Sequence, residues 1–523
     1  MKIYAISMDR HVIAIGLRRI VAYAKKAGFD INSIYFLDDA WGASQAGFWL
    51  KQKTGAAFPV NYVNNQEAIY RFAEILSDAD VLAFSLMSVQ RGIAKKICDQ
   101  IKKSNPKVRI IIGGYHPTTV PEDAISFADV ICQGEGEKTF VEFLRRTERG
   151  ESYAGLPNTW VKENGNIIRN PRSPVMTSDE MENMPFMEYG IDKQFFFSFA
   201  HGVLIQVHQG DLIRHVGTTY STIWSVGCPY KCSFCSNDIF IDLDKGYGKY
   251  RGPSPTYIIS EIKEVMNKFP LDYIVFCDSD FVGRSLEHIT EFSEKFRKEL
   301  GLKFKINGIN PVSVSEEKIR VLIEGGLVRA NMGFESGSKE TLKLYKRAGN
   351  AGDLKRACEI LSKFRGKMVP TCYEIITDNP FETKEQLYET IDFLDEIPGP
   401  FTISLFSLCL MPGTSLSRTI KDKKLLEEHI VKEYLFSYRP TAINILISVF
   451  AVFKPPHFIV NLLKRLIRGR EEKLYPSTKN LFYKLHVFRR AIDQIRFKDF
   501  STFPYWVMMY YYRFKRLSVF SKK

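Results

Sequence analysis

Three thiols stand within eight residues in the stretch WSVGCPYKCSFCSND: Cys228, Cys232 and Cys235. The chain has nine cysteines, and the other six (Cys98, Cys132, Cys277, Cys358, Cys372, Cys409) are scattered singly in apolar contexts. An odd total without regular spacing argues against a disulfide framework and for a reducing compartment. The six read as buried small hydrophobes. A structural zinc wants four ligands, usually as two close pairs, and no second pair exists. His208 and His215 lie upstream, so a mixed Cys/His zinc site stands as the alternative. A four-iron cluster on three thiolates keeps one iron free of protein, open to a substrate. On that reading the missing fourth cysteine is the functional feature.

The elements that must position this loop follow from the alternation of the chain. From residue 1 to about 150, short apolar runs (KIYAI, SIYFL, VLAFS, RIIIGG, VICQG) alternate with helical patterns such as GLRRIVAYAKKAGF. That alternation predicts a parallel sheet covered by helices, with ligands at the carboxyl ends of the strands. Ser85, the turn Gly113-Gly114-Tyr115-His116-Pro117, and Gly134 stand at those ends. MKIYAIS reads as a first strand rather than an export leader, which makes the expected location cytoplasmic. Residues 151–219 are rich in Pro, Asn and Gly and read as a linker segment with one hairpin at Asn164-Gly165. From 220 to 418 the alternation resumes through TIWSVG, YIVFCD, FKINGI, VRANMGF, VPTCYEII and TISLFSL. Six such units predict a partial barrel whose chemistry sits on loops after the strands, and the cysteine loop follows the first one. The expected fold is therefore α/β: a flavodoxin-like (Rossmann-like) parallel sheet domain, a partial (β/α)6 TIM-like barrel, and a mainly helical tail over 419–523.

The Cys-x3-Cys-x2-Cys spacing, with aromatic Phe234 before the last cysteine, resembles the signature of the radical S-adenosylmethionine family. FCDSDF, NMGFESGSKETLKLYKR, EIITDNPFETKEQL and LMPGTSL look like successive strand-end motifs of its subgroup with an N-terminal cobalamin-binding domain. IIGGYHPTTVPEDAI and VICQGEGEKTF look like the last strand ends of that domain. The resemblance implies that Cys228, Cys232 and Cys235 ligate a [4Fe–4S] cluster whose open iron chelates S-adenosylmethionine. One-electron cleavage would then give a 5′-deoxyadenosyl radical. It implies Asp278 and Asp280 as acceptors for the methionine amine, Glu335 as a polar contact to the cofactor, and Met411, Pro412 and Gly413 against the adenine. Ser85, Gly113, Gly114, His116 and Gly134 would lie beside cobalamin. The implied activity is cobalamin-dependent methylation of an unactivated carbon. The alternatives are a radical cyclase or rearrangement enzyme, and a non-catalytic cofactor-binding sensor. An electron donor such as flavodoxin or ferredoxin is implied as partner.

Two stretches depart from the family pattern. DRHVIAIG places Asp9 and His11 as in a cobalt-ligand loop but sets Gly16 two residues too far along, so the cobalt is expected without a protein imidazole below it. In EIITDNPFET, Asp378 and Asn379 stand where relatives carry small residues, near the expected substrate mouth.

The net charge of +14 is confined to the tail: residues 421–523 hold 22 Lys+Arg against 8 Asp+Glu, and the rest is balanced. A main body without excess charge is unlike a nucleic-acid binder. The tail contains TAINILISVFAVF, too short to span a bilayer, then basic and aromatic residues interleaved. Such composition suits a surface helix at the anionic inner face of a membrane, where a lipid-like rather than a water-borne small-molecule substrate would be met. The competing reading is a helical domain packed on the barrel.

Overall fold

The apolar runs of the first 150 residues fold into β1 (Ile3–Ser7), β2 (Ile31–Leu37), β3 (Val81–Ser85), β4 (Arg109–Gly113) and β5 (Val130–Cys132). The structure, a computed structural model, describes residues 1–8, 13–37, 66–199, 201–420 and 438–499; Asp9 and His11 lie outside them. The five strands are parallel in the order β2-β1-β3-β4-β5, the flavodoxin-like arrangement, with its switch point between β1 and β3. Successive side chains enter opposite faces. Ile3 and Ala5 pack against helices Ile15–Lys26 and Glu137–Arg149. Tyr4 and Ile6 pack against helices Gln66–Ile75 and Arg91–Ser104.

The stretch expected to be a linker is instead part of this sheet. β6 (Thr159–Glu163) and β7 (Asn166–Arg169) form the hairpin at Asn164-Gly165 and pair antiparallel beside β5. At the other edge β8 (Gln194–Ser198) joins β2 in parallel and β9 (Val203–Gln206) closes the sheet at nine strands. Turn-forming residues around these short strands set the composition and hide them.

The barrel holds six parallel strands in sequence order: β10 (Thr219–Thr222), β11 (Tyr273–Phe276), β12 (Lys303–Ile306), β13 (Leu327–Glu335), β14 (Cys372–Thr377) and β15 (Thr402–Ser407). β10 is the polar run TYST, just ahead of the expected TIWSVG. Tyr220 and Thr222 each donate a 2.9 Å hydrogen bond to the Glu261 carboxylate on helix Pro255–Lys268, so polar residues build a strand that reads as loop. Phe304, Ile306, Ala330, Met332, Tyr373 and Ile375 face the surrounding helices. By alternation Lys305, Arg329, Asn331, Cys372, Glu374 and Ser404 face the lumen, which differs from the aliphatic layers of closed barrels.

TAINILISVFAVF forms the buried helix Ala442–Val452, packed along β15, with Phe450 stacked 6.4 Å from Phe401. Helix Pro476–Phe497 crosses the lower end of the barrel. There Arg489 donates to the carbonyls of Phe401 and Val452 at 3.1 and 2.6 Å, and Arg329 pairs with Asp499 at 3.3 Å. Among the described residues no helix is long and apolar enough to cross a membrane.

Candidate active site at the cysteine loop

After β10 the chain turns out over the barrel mouth. Trp224 is buried, stacked on Phe292 with the Arg284 guanidinium 3.5 Å above its ring. Gly227 (φ +91°) brings the loop so close to its own return arm that a Cβ would sit 2.0 Å from the Lys249 carbonyl oxygen. Val226 pairs with Arg251, and the Cys228 amide donates to the Tyr247 carbonyl at 3.0 Å. Ser233 is held from the opposite side, its amide on the Tyr345 carbonyl and its hydroxyl on that of Leu344, both at 2.8 Å. Phe234 lies edge-on to Tyr345 with ring centres 5.0 Å apart. Cys235 is the residue just ahead of helix Ser236–Leu243, and burial raises the pKa of its thiol.

The donor set fits a cluster better than a single ion. Among the described residues no group of three or more His, Cys, Asp or Glu could hold one metal ion. A cubane instead puts each thiolate on a different iron, and Cys228, Cys232 and Cys235 lie near enough that each disfavours ionisation of Cys228. Burial is the main cause that pushes the Cys228 thiol up to about 12. At Cys228 a bound metal would take the place of that proton. A cation is already in place: Arg347 Nη1 is 3.5 Å from Cys232 Sγ, and its Nε has no partner among the described residues.

Glu335, at the end of β13, adopts φ +64°, a left-handed conformation that a non-glycine residue keeps only under constraint. Its carboxylate faces Arg347 at 3.5 Å, and burial pushes it up to about 7. Gly333 leaves room for the pair; a Cβ there would lie 2.5 Å from Glu335 Oε1 and 2.7 Å from Arg347 Nη2. Arg347 and Gly333 sit inside the quoted NMGFESGSKETLKLYKR, but nothing in their types singled them out. Glu374 and Asn331, joined at 2.9 Å in the lumen below, were also missed.

The two aspartates expected to meet the methionine amine both accept hydrogen bonds within the protein. Asp278 accepts from the amides of Trp224 and Ser225 at 3.1 and 2.7 Å and from the Ser225 hydroxyl at 2.8 Å, with Arg284 beside it. It positions the loop. Asp280 accepts from the Tyr250 and Ser313 hydroxyls and the Asn310 amide, and burial raises its pKa.

On the sheet domain Ser85 and Gly113 are register partners at the ends of β3 and β4, and a Cβ on Gly113 would meet nothing within 4 Å. This open shelf, one strand along from the switch point, fits a flat cofactor. Gly114 (φ +101°) packs on Leu86 instead. His116 is buried between Ser88 Oγ (3.2 Å) and Asp123 Oδ2 (2.9 Å), so its ring is fixed within the domain. Gly134 (φ +77°) serves the junction: a Cβ would fall 2.4 Å from Tyr247 Oη. Next to it the Glu135 amide donates to that hydroxyl at 2.9 Å, and the Glu135 carboxylate pairs with Arg251 at 2.8 Å. Gly413, expected near the adenine, abuts the Thr119 carbonyl of the sheet domain. Asp378 (φ +54°) accepts from Ser407, from the Arg439 amide at 2.7 Å and from Asn444 Nδ2 at 2.7 Å. The departure from the family pattern there anchors the C-terminal region.

A flavodoxin-like domain clamped onto the three-cysteine loop of a six-stranded barrel defines a radical S-adenosylmethionine enzyme with a cobalamin-binding domain. Profiles of known families agree: that of the Radical SAM superfamily matches residues 222–394 and that of the B12 binding domain residues 1–144. The chain thus carries a B12-binding domain followed by a Radical SAM domain, and its cofactors are a [4Fe–4S] cluster, S-adenosylmethionine and cobalamin. It is 24% identical to an uncharacterized methyltransferase of Pyrococcus horikoshii, over 75% of this chain and 84% of the relative. It is 22% identical to the anaerobic magnesium-protoporphyrin IX monomethyl ester cyclase of Rubrivivax gelatinosus, over 57% of this chain but half of that one. In fold it resembles the cobalamin-dependent S-adenosylmethionine radical enzyme OxsB, solved with aqua-cobalamin and S-adenosylmethionine bound. The TM-score is 0.62 at 16% identity, covering 95% of this chain and 80% of OxsB.

Proposed function

We propose that the protein methylates an unactivated carbon of a small molecule, using both cofactors in one reaction space. The observation that carries this reading is the clamp between the two domains. Gly134 and Glu135, on the cobalamin side, hold Tyr247 and Arg251, which hold Val226 and Cys228 on the cluster side. When bound, the cluster with S-adenosylmethionine supplies a carbon-centred radical and cobalamin supplies a methyl group. The residues present support that chemistry by position: Asp278 fixes the loop, Arg347 sets positive charge against Cys232, and the Glu335–Arg347 pair borders the cluster. The methyltransferase-named relative of Pyrococcus horikoshii is matched over 84% of its own length and the cyclase over 50%, which favours methylation over cyclisation.

The test is a product ratio. Anaerobically reconstituted, reduced protein with S-adenosylmethionine should release both 5′-deoxyadenosine and S-adenosylhomocysteine. A cyclase releases only the first, and a sensor neither. The triple Cys228→Ala/Cys232→Ala/Cys235→Ala variant should bind no iron, and zinc in place of iron in the native protein would overturn the assignment.

The reductant has a matching surface. Lys339, Lys343, Lys346 and Arg347 line a cavity of about 680 Å3 with no acid among its lining residues. Arg347 connects it to Cys232. An acidic one-electron carrier such as flavodoxin or ferredoxin fits this site by charge.

A further inference from the structure

The surface of the C-terminal region is unlike the rest of the molecule. Ten of the seventeen large apolar residues exposed in the described structure fall between Phe453 and Ile495, while the others are scattered. They form stripes. On helix His457–Ile467, Phe458, Leu462 and Leu466 recur every fourth residue and are 71%, 53% and 62% exposed. On helix Pro476–Phe497, Leu481, Leu485, Phe488, Ile492 and Ile495 follow the same helical spacing, all exposed. These are second apolar faces. The inner sides of the same helices are already used, by Val460 in the core and by Arg489 on the barrel floor. A concentration of exposed apolar area of this kind marks an interaction site.

The charge around the stripes selects the partner. Across residues 453–499 eight exposed side chains are cationic, among them Arg465 and Arg468 beside Leu466 and Lys484 beside Leu485. The one exposed acid is Glu472. Two copies of such a face brought together about a twofold axis would set like charges against each other. The sequence that follows, residues 500–523, has five cations and no anion, so it adds to the excess rather than neutralising it. An anionic lipid surface complements both features: its headgroups meet the cations and its acyl boundary takes the apolar stripes. We propose that the exposed stripes of these two helices dock the enzyme on an anionic membrane. The barrel floor, bridged by the second of them, would then lie next to the lipid. This proposal is independent of which reaction the enzyme performs.

The test uses the full chain and sedimentation with vesicles of phosphatidylcholine alone or mixed equally with phosphatidylglycerol, at low and high salt. The protein should pellet with the mixed vesicles, far less with phosphatidylcholine, and less at high salt. Arg465→Glu/Arg468→Glu/Lys484→Glu should lower the partition by at least about a hundredfold. Phe458→Ser/Leu462→Ser/Leu466→Ser should lower it even at low salt. All six positions are surface-exposed or rim residues, so an unchanged circular dichroism spectrum and melting point show that the variants fold. Native protein that stays in the supernatant with mixed vesicles overturns the proposal. So does a native dimer that the serine variant converts to monomer, which would assign the face to a second copy.

Discussion

Glu382→Gln should make the protein more stable above neutral pH and change little in acid. Glu382 follows β14 and braces the turn after Glu335, accepting from Ser336 Oγ at 3.2 Å and Thr341 Oγ1 at 2.9 Å. Both bonds go to Oε1; Oε2 is buried without a partner among the described residues. Burial pushes this carboxyl from the usual 4.5 up to about 7. The folded chain therefore keeps a proton that the unfolded chain releases. Its stability is full below about pH 4.5, declines as pH rises, and levels off above about 7. At ~1.4 kcal/mol per pH unit the loss is at most about 3 kcal/mol, and partial solvation of the group brings it to about 1–2 kcal/mol. Gln keeps the acceptor at Oε1 and removes the charge. Urea denaturation of cofactor-free protein should show the variant's barrel transition about 1–2 kcal/mol higher at pH 8, with most of that difference gone at pH 5. A variant equally or less stable than the parent at pH 8 would refute the claim that burial disfavours this carboxylate.

Gly134→Ala should cost about 1–3 kcal/mol in thermal denaturation and lower iron retention, because its Cβ meets Tyr247; adding Tyr247→Phe removes the obstructing oxygen and should restore part of both. Lys339→Glu/Lys343→Glu/Lys346→Glu should slow cluster reduction by reduced flavodoxin at least about tenfold at low salt, followed by loss of the visible iron–sulfur absorbance, while reduction by dithionite is unchanged. Asp378→Ala leaves the Arg439 amide without its acceptor and Asn444 Nδ2 with only the Arg439 carbonyl, a loss of about 1–3 kcal/mol, and should expose the 438–452 region, with Tyr438, Leu446 and Phe450, to chymotrypsin well before the parent is cut.

The parts of the molecule legible in the sequence were those written in local spacing. The three cysteines and the strands of the parallel sheet each carry their signal within a dozen residues. What was not legible depends on partners far along the chain. Asp278 and Asp280 stood out at a strand end, but their protein partners did not: only the fold brings Ser225 and Tyr250 to them. Arg347 carries no mark beyond being a basic residue in a basic stretch, and becomes informative once folding puts it on Cys232. Asp378 departed from the family motif in plain view, yet its explanation lay some sixty residues downstream, at Arg439 and Asn444. β8 was concealed for the same reason: the aromatic run at Phe195–Phe197 finds its neighbour β2 across more than 150 residues.

The clamp at Gly134 and Glu135 also fixes an order of assembly. Chains fold from the amino end as they are made, and every strand of the sheet domain lies ahead of Cys228 in the chain. That domain then serves as the mould against which Tyr247 and Arg251 settle, and the thiols are arrayed for iron only afterwards. A barrel synthesised without the preceding domain would present the same three cysteines on an arm with nothing to set its shape.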